Sequence, residues 1–211
     1  LATLYSAINP SVSCIYNGYE RIFEGTLSEE FSITYTGVLK TNQHIETLWS
    51  VFDKLSSRDQ AFINDAHLHL YGVYENKPIP LEMVNQVTVH GYHAKEVIDN
   101  ILPQSHLLLL LGNDHSQSQF VIHGKLYAYM AARRPILAIV NKHGDMSKII
   151  EDFQLGAAFL YTEIDQMTAW IETLFKDYKS KTSTPLKQPH HRFSRKKQAE
   201  ELHLYLNKSN N

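Results

Sequence analysis

Apolar positions along this chain follow two spacings, and the switches between them mark out a series of elements. ITYTGVL, from Ile33 to Leu39, is a short β-branched and aromatic run closing around Gly37, which predicts a strand. Asn42 is placed to cap the next segment, where Ile45, Leu48, Trp49, Phe52 and Leu55 recur at helical spacing. AHLHLYGV (66–73) and QVTVHGY (86–92) predict two more strands, joined by ENKPIPLEMVN with its two prolines. Ala94 to Gln104 carries Val97, Ile98, Ile101 and Leu102 on one helical face. HLLLLLGN (106–113) is almost continuously apolar, as a central strand covered on both sides would be.

A polar loop, DHSQSQFVIH, then leads into HGKLYAYMAARRPILAIV (123–140). Leu126, Tyr127, Met130 and Ala131 predict a short helix that Pro135 ends, and PILAIV (135–140) a fifth strand. Residues 145–154 predict a helix with Met146, Ile149, Ile150 and Phe153 inward, GAAFLY (156–161) a sixth strand, and 162–179 a long amphipathic helix. KSKTSTPLKQPHH, up to His191, is read as a linker, followed by a helix over 194–207 with Ala199, Leu202 and Leu206 on one face. This alternation predicts an α/β fold, a Rossmann-like parallel sheet of about six strands with helices on both faces. Residues 30–180 form that domain, 1–29 an inter-domain connection, and 181–211 the linker and closing helix.

Composition narrows the function only by exclusion. A net charge of −2 and a pI near 6.7 argue against a surface that wraps nucleic acid. The one cysteine, Cys14, excludes an internal disulfide framework and fits a reducing, cytosolic compartment. No apolar run approaches the ~20 residues of a membrane-spanning helix. The opening LATLYSAINPSVSCIYNGYE reads as the continuation of a longer protein.

In an open parallel sheet a ligand is expected beyond the carboxyl ends of the strands. Three loops there combine glycine with polar or cationic side chains: TGVLKTNQ from Thr36, HGYHAKE from His90, and GNDHSQSQFVIHGK from Gly112. Lys125 begins a helix, where free N–H groups and the helix dipole favour an anion, so a phosphate-bearing ligand is the simple expectation. GxGxxG after the first strand, GxxxxGK[ST], GxSxG and HExxH are all missing, which disfavours dinucleotide dehydrogenases, P-loop NTPases, α/β-hydrolases and zinc proteases. His67 with His69 and His90 with His93 form pairs that no carboxylate or thiolate completes at a metal-binding spacing, so no metal is predicted and the histidines are read as satisfied or solvated. The doublet His190-His191 is read as exposed. Arg192, Arg195, Lys196 and Lys197 read first as a solvated helix face, and next as a contact for an acidic partner domain or a membrane surface.

The order of these stretches resembles the carboxyl-terminal, donor-binding half of a group 1 (family 4-like) GT-B glycosyltransferase. CIYNGYE resembles the segment joining the two halves of such enzymes, and ITYTGVL their first strand and loop. VTVHGYHAKEVIDNILPQSHLLLLL, HGKLYAYMAARRPILAIV and IIEDFQLGAAF match later motifs in order, from Cys14 to Phe159, and FSRKKQAEEL is similar to the closing helix. The resemblance implies that the full-length protein moves a sugar from a nucleotide-diphospho-sugar to an acceptor, without a bound metal or other cofactor. The diphosphate would lie near Gly37, Lys40, Gly124, Lys125 and Leu126, and the base near Tyr92 and His93, with Asn113 on the loop between. Acceptor and any catalytic base would belong to an amino-terminal half outside this chain, so no catalytic residue is assigned here and the fragment alone is expected to be inactive. Its setting would be cytoplasmic, at most peripheral at a membrane.

Departures from that family motivate a second reading. Ala128 stands between Tyr127 and Tyr129 where the family has a glutamate associated with the donor's ribose, and Phe120 falls at the place of its other glutamate. Val38 and Gln43 replace an arginine and a lysine, leaving Lys40 as the nearest cation, and Arg133 stands at a helix-ending glycine. The alternative is therefore a degenerate, non-catalytic binding module. A GT-B-like epimerase ranks last, because no acid/base pair favours it.

Overall fold

The run Phe31–Thr36 is the central strand, β1, of a six-stranded sheet in this computed structural model, which describes residues 12, 14–75, 78–115, 117–187, 189 and 191–208. Ala66–Tyr71 (β2), Val87–Gly91 (β3), Leu107–Leu111 (β4), Ile136–Ile139 (β5) and Gly156–Phe159 (β6) complete it. All neighbours pair in parallel, in the order β3-β2-β1-β4-β5-β6. The helices are α1 (Glu46–Arg58), α2 (Gln60–Asp65), α3 (Lys95–Ile101), α4 (Lys125–Ala132), α5 (Asp145–Asp152), α6 (Ile164–Lys179) and α7 (Arg195–Lys208). The chain is an α/β protein with a Rossmann-like sheet.

Burial explains why each strand has its sequence. The five leucines of β4 are all fully buried, because the strand sits mid-sheet with both faces covered. Phe31, Ile33 and Tyr35 of β1 join Leu68, Leu107 and Leu109 in one cluster with Leu48 and Phe52 of α1 and Ile171 and Phe175 of α6. In β2 the alternation is strict: Ala66, Leu68 and Leu70 are buried, whereas His67, His69 and Tyr71 face outward and are half-buried.

The structure departs from the sequence reading at several points. β1 starts at Phe31, two residues before Ile33, because Phe31 and Ser32 are both buried and Phe31 joins the core cluster. Asn42 does not cap α1, which follows Ile45 with no side-chain cap. Its carbonyl instead accepts the Asp114 N–H at 3.0 Å, tying the β1 loop to the β4 loop. Helix α2 was not expected, since only Phe62 of its six residues is buried and no period shows; Asp59 starts it by accepting the Ala61 N–H at 2.9 Å. The histidine pairs are not separate. His69 Nε2 lies 2.7 Å from Glu30 Oε1 and its Nδ1 lies 3.0 Å from His90 Nε2, with His67 on Thr88 and His93 against Tyr71.

The chain divides into two units, residues 22–189 with the sheet, and the two ends. Within the latter, Tyr19 pairs with Ser194, Phe193 is buried beside Tyr16, and Gln198 Nε2 donates to the Asn17 and Arg192 carbonyls. Arg195 forms an ion pair with Glu20 at 2.8 Å, Lys197 one with Glu200 at 2.7 Å, and Arg192 lies over the Tyr16 ring, so this basic cluster is largely engaged inside its own unit. Leu202 and Leu206 of the predicted apolar face are exposed. Residues 1–11, Ser13 and His190 of the predicted connection and doublet lie outside the described residues. Among the described residues no helix is long and apolar enough to cross a membrane.

Candidate functional site

The sheet order reverses between β1 and β4, and their pairing is short. Ile33 pairs with Leu107 and Thr34 with Leu108, and no further rung follows. Tyr129, on α4 and fully buried, fills the gap that opens beyond. Its hydroxyl accepts the Thr36 N–H at 3.1 Å and donates to the Leu109 carbonyl at 3.1 Å. Burial pushes this phenol up to about 12, so it stays protonated and able to donate. The crevice expected at such a switch point therefore has a hydrogen-bonded floor.

Gly37 turns the chain at the mouth of this crevice with φ +113°. The turn is crowded on one side: a Cβ on Gly72 would meet the Gly37 carbonyl oxygen at 2.1 Å, so Gly72 has no room to change, while Gly37 is held to glycine by its positive φ. Lys125 reaches over from α4, and a Cβ at Gly37 would lie 3.1 Å from its Nζ. That ammonium sits 4.0 Å from the centroid of the Tyr35 ring. No carboxylate meets it among the described residues. Burial pulls the amine down to about 8, which still leaves most of it charged at neutral pH. His123 is held low by burial and then by the charges of Lys125 and Lys40, so its imidazole stays neutral within the field of both lysines. Sequence reasoning took Lys40 and Lys125 as candidates but missed His123, whose only signal is its place two residues before the lysine.

The other expected residues fall differently. Gly124 precedes α4 in ordinary helical conformation with open space where a Cβ would be, so nothing in the backbone demands glycine there. Leu126 turns inward and is fully buried, and its N–H is spent on the His123 carbonyl at 3.0 Å, so neither group faces the crevice. Asn113 lies at the β4 exit, its Oδ1 accepting from Gln43 Nε2 at 3.0 Å. Tyr92 and His93 leave β3, two strands from β1 and roughly 10 Å away. Tyr92 is 84% exposed, and His93 belongs to the β2–β3 histidine face.

Gln43, where a cation was the family expectation, is buried and serves as a brace. It accepts from the Lys40 N–H and the Tyr35 hydroxyl, each at 3.1 Å, and donates to Leu111 and Asn113. Val38, the other replaced cation, is exposed. Ala128 is half-buried one helical turn after Lys125, on the same stripe of α4. Arg133 takes the left-handed conformation (φ 57°, ψ 37°) that glycine supplies elsewhere, and its Nε–H donates to the Leu186 carbonyl at 2.9 Å.

Beyond Asn113 a cleft of about 280 Å³ opens at the exits of β4, β5 and β6, lined by His44, Asp114, Asn141 and Tyr161 among others. His44 stacks on Tyr161 at 4.1 Å between ring centroids, and its Nε2 lies 3.0 Å from Asp114. This flat, acid-flanked wall was not read from the sequence. Among the described residues no group of three or more His, Cys, Asp or Glu side chains is arranged to hold a metal ion.

No protein-family model matches the sequence, and no curated protein matches it. Solved structures match the fold. A TarM mutant from S. aureus, in complex with fondaparinux, α-GlcNAc-glycerol and UDP, is 19% identical with a TM-score of 0.53 over 92% of this chain. The pneumococcal O-GlcNAc transferase GtfA, in complex with UDP and GlcNAc, is 14% identical with a TM-score of 0.62 over 90%. A UDP-forming α,α-trehalose-phosphate synthase from Burkholderia xenovorans, in complex with glucose-6-phosphate, is 9% identical with a TM-score of 0.53 over 78%. In each case the chain spans 38% of the other protein's length. At such identities the likeness shows the fold, one Rossmann-like half of a GT-B architecture.

Proposed function

We propose that this chain is the donor-binding half of a group 1 (family 4-like) GT-B glycosyltransferase and takes a nucleotide-diphospho-sugar at the β1–β4 crevice. The observation that carries this reading is Lys125, a half-buried ammonium without an acidic partner among the described residues, set against Gly37 and the Tyr35 ring at the mouth of the crevice. A diphosphate supplies the negative charge this group lacks, and the Gly37 turn lets it approach the backbone. In the transfer step such cations would stabilise charge on the departing nucleotide, with no protein base in this chain. The acceptor and its recognition would come from an amino-terminal half. Basic residues on α7 are mostly paired within their own unit, so contact with a membrane surface would rest on Lys196 and a minority of the cluster.

Calorimetric titration of the chain with UDP, GDP and their sugars tests the reading. Heat that saturates in the millimolar range and disappears in Lys125→Met is the expected result, and the absence of heat with every nucleotide would sink it. The second reading, a degenerate module, is favoured by Gln43, whose buried brace leaves no cation at that place, and by Ala128. Turnover by a full-length protein carrying these residues would exclude it.

A further inference from the structure

At the end of the sheet opposite the strand exits, two buried cation-capable side chains face one cavity. Arg134 is 5% exposed, yet no carboxylate meets it among the described residues. Its Nε–H donates to the Pro103 carbonyl at 2.7 Å and an Nη2–H to the Gly25 carbonyl at 3.2 Å, which leaves Nη1 without a hydrogen-bond partner among the described residues. His106 is 7% exposed, and its Nδ1 accepts the Ser32 N–H at 3.3 Å. That bond puts the ring proton on Nε2, which has no partner among the described residues either. Both side chains line a cavity of about 210 Å³ with an apolar floor of Phe31, Pro135 and Leu174. The cavity continues past His106 and Ser183 into a wider groove of about 540 Å³.

The wall that closes it is the stretch expected to be a linker. Leu186 makes two hydrogen bonds with Arg133: its N–H donates to the Arg133 carbonyl at 2.8 Å, and its carbonyl accepts the Arg133 Nε–H at 2.9 Å. The Thr182 N–H is held by the Asp177 carbonyl at 2.9 Å. This segment is therefore tied to the fold and shapes a defined chamber.

A guanidinium held mainly by carbonyls keeps its remaining N–H edge for the cavity it lines, and an anion there makes a charge-assisted bond that the carbonyls do not supply. The carboxylates of Asp177 in the smaller cavity and Glu29 in the groove set a limit, because they repel a doubly charged group more than a singly charged one. The apolar floor calls for a hydrocarbon body, and the smaller volume equals that of roughly seven waters at ~30 Å³ each, about the size of a single ring with one substituent. We propose that this cavity is a second ligand site, separate from the donor crevice, which binds a small monocarboxylate with an apolar body, its carboxylate held by Arg134 Nη1 and His106 Nε2. The proposal stands apart from the glycosyltransferase reading, since it uses none of that site's residues.

The test titrates the full chain with benzoate at neutral pH, following the His106 imidazole resonances by NMR and the heat by calorimetry. Benzyl alcohol and phenyl phosphate serve as neutral and doubly charged comparators. Saturable shifts of His106 with millimolar benzoate are expected, with phenyl phosphate weaker and benzyl alcohol without effect. Arg134→Gln is expected to bind at least about tenfold more weakly. Because Arg134 also tethers two carbonyls, that variant can misfold, so Ser183→Trp, which fills the chamber from its rim, provides the independent arm and should abolish binding. An unmoved His106, binding retained in Ser183→Trp, or equal binding of benzyl alcohol or phenyl phosphate would overturn the proposal. A parallel UDP titration reads the donor crevice alone, so either site can fail without the other.

Discussion

Lys125 holds its ammonium 4.0 Å from the centre of the Tyr35 ring and directly against Gly37, and the ring is its nearest compensating group. A ring face offsets part of the desolvation of a cation, but less than a carboxylate would. The consequence is an amine drawn down to about 8 from its usual 10.5. The fold thus keeps a charge at the crevice at some cost to itself.

That cost separates binding from stability. In the folded state Lys125 releases its proton near 8 and in the unfolded state near 10.5, so below about 8 the charged form favours unfolding and stability rises as pH climbs between the two values. Lys125→Met should therefore stabilise the chain at neutral pH, by about 1 kcal/mol once solvent screening of a half-buried group is allowed for. The same variant should lose UDP affinity by tenfold or more, roughly. In the wild type, UDP affinity should fall as pH rises through about 8, whereas Lys125→Arg should hold it flat over that range. Calorimetry across pH and urea unfolding check both halves, and a Lys125→Met chain that is less stable would contradict the desolvation argument.

His106 gives a pH dependence of the same sign, in a more acidic window. Burial, and then the Arg134 charge, hold the folded imidazole down to about 4 against 6.5 in the unfolded chain, while Glu30 pulls weakly the other way. The unfolded state binds the proton first, so stability is full above about 6.5 and drains away as pH falls towards about 4. On the order of 2–3 kcal/mol rides on this one residue. His67 and His90, also held low chiefly by burial, add to the loss in the same direction. Urea midpoints measured across this range should converge in His106→Gln, whose side chain can still accept from Ser32 but cannot charge.

Much of this architecture was legible because it depends on apolar spacing alone. Leu107 to Leu111 can only be a strand covered on both sides, and AHLHLY alternates as a strand with one covered face must. Lys40 and Lys125 were visible as cations on loops at the strand exits. What stayed hidden was every role set by contacts distant in sequence. Gln43 looks like a lost cation until its buried hydrogen bonds are seen, and Arg134 looks like half of an Arg-Arg helix stop until its burial is known. The segment 182–186 has a linker's composition because its contacts run mainly through the backbone and Arg133, which composition does not record.

Tyr129 closes the gap between β1 and β4 with a single hydroxyl. Tyr129→Phe keeps the ring and strands the Thr36 N–H and the Leu109 carbonyl in a buried place, so it should cost about 1–3 kcal/mol. Hydrogen exchange should report it most sharply at Thr36, where the amide loses its acceptor. Unchanged protection there would mean that water or the opposite strand had replaced the hydroxyl.

Two substitutions restore family residues, and the geometry sets them apart. Gln43→Lys places a cation at the family position, but it removes the buried side-chain acceptor of the Lys40 N–H, leaves the Tyr35 hydroxyl only the Val38 carbonyl, and adds a charge at a residue that is 3% exposed. It should destabilise by about 2–4 kcal/mol and weaken nucleotide binding by loosening the β1 loop. Ala128→Glu instead projects from a half-buried position one turn along α4 from Lys125, in reach of water and without displacing a brace. It should leave stability within about 1 kcal/mol of the wild type. If the crevice is a nucleotide-sugar site that has lost its ribose partner, the new carboxylate should tighten binding of UDP but not of inorganic pyrophosphate, which has no ribose. Tighter binding of neither, in a folded Ala128→Glu chain, would mean that the nucleotide does not lie along this face of α4.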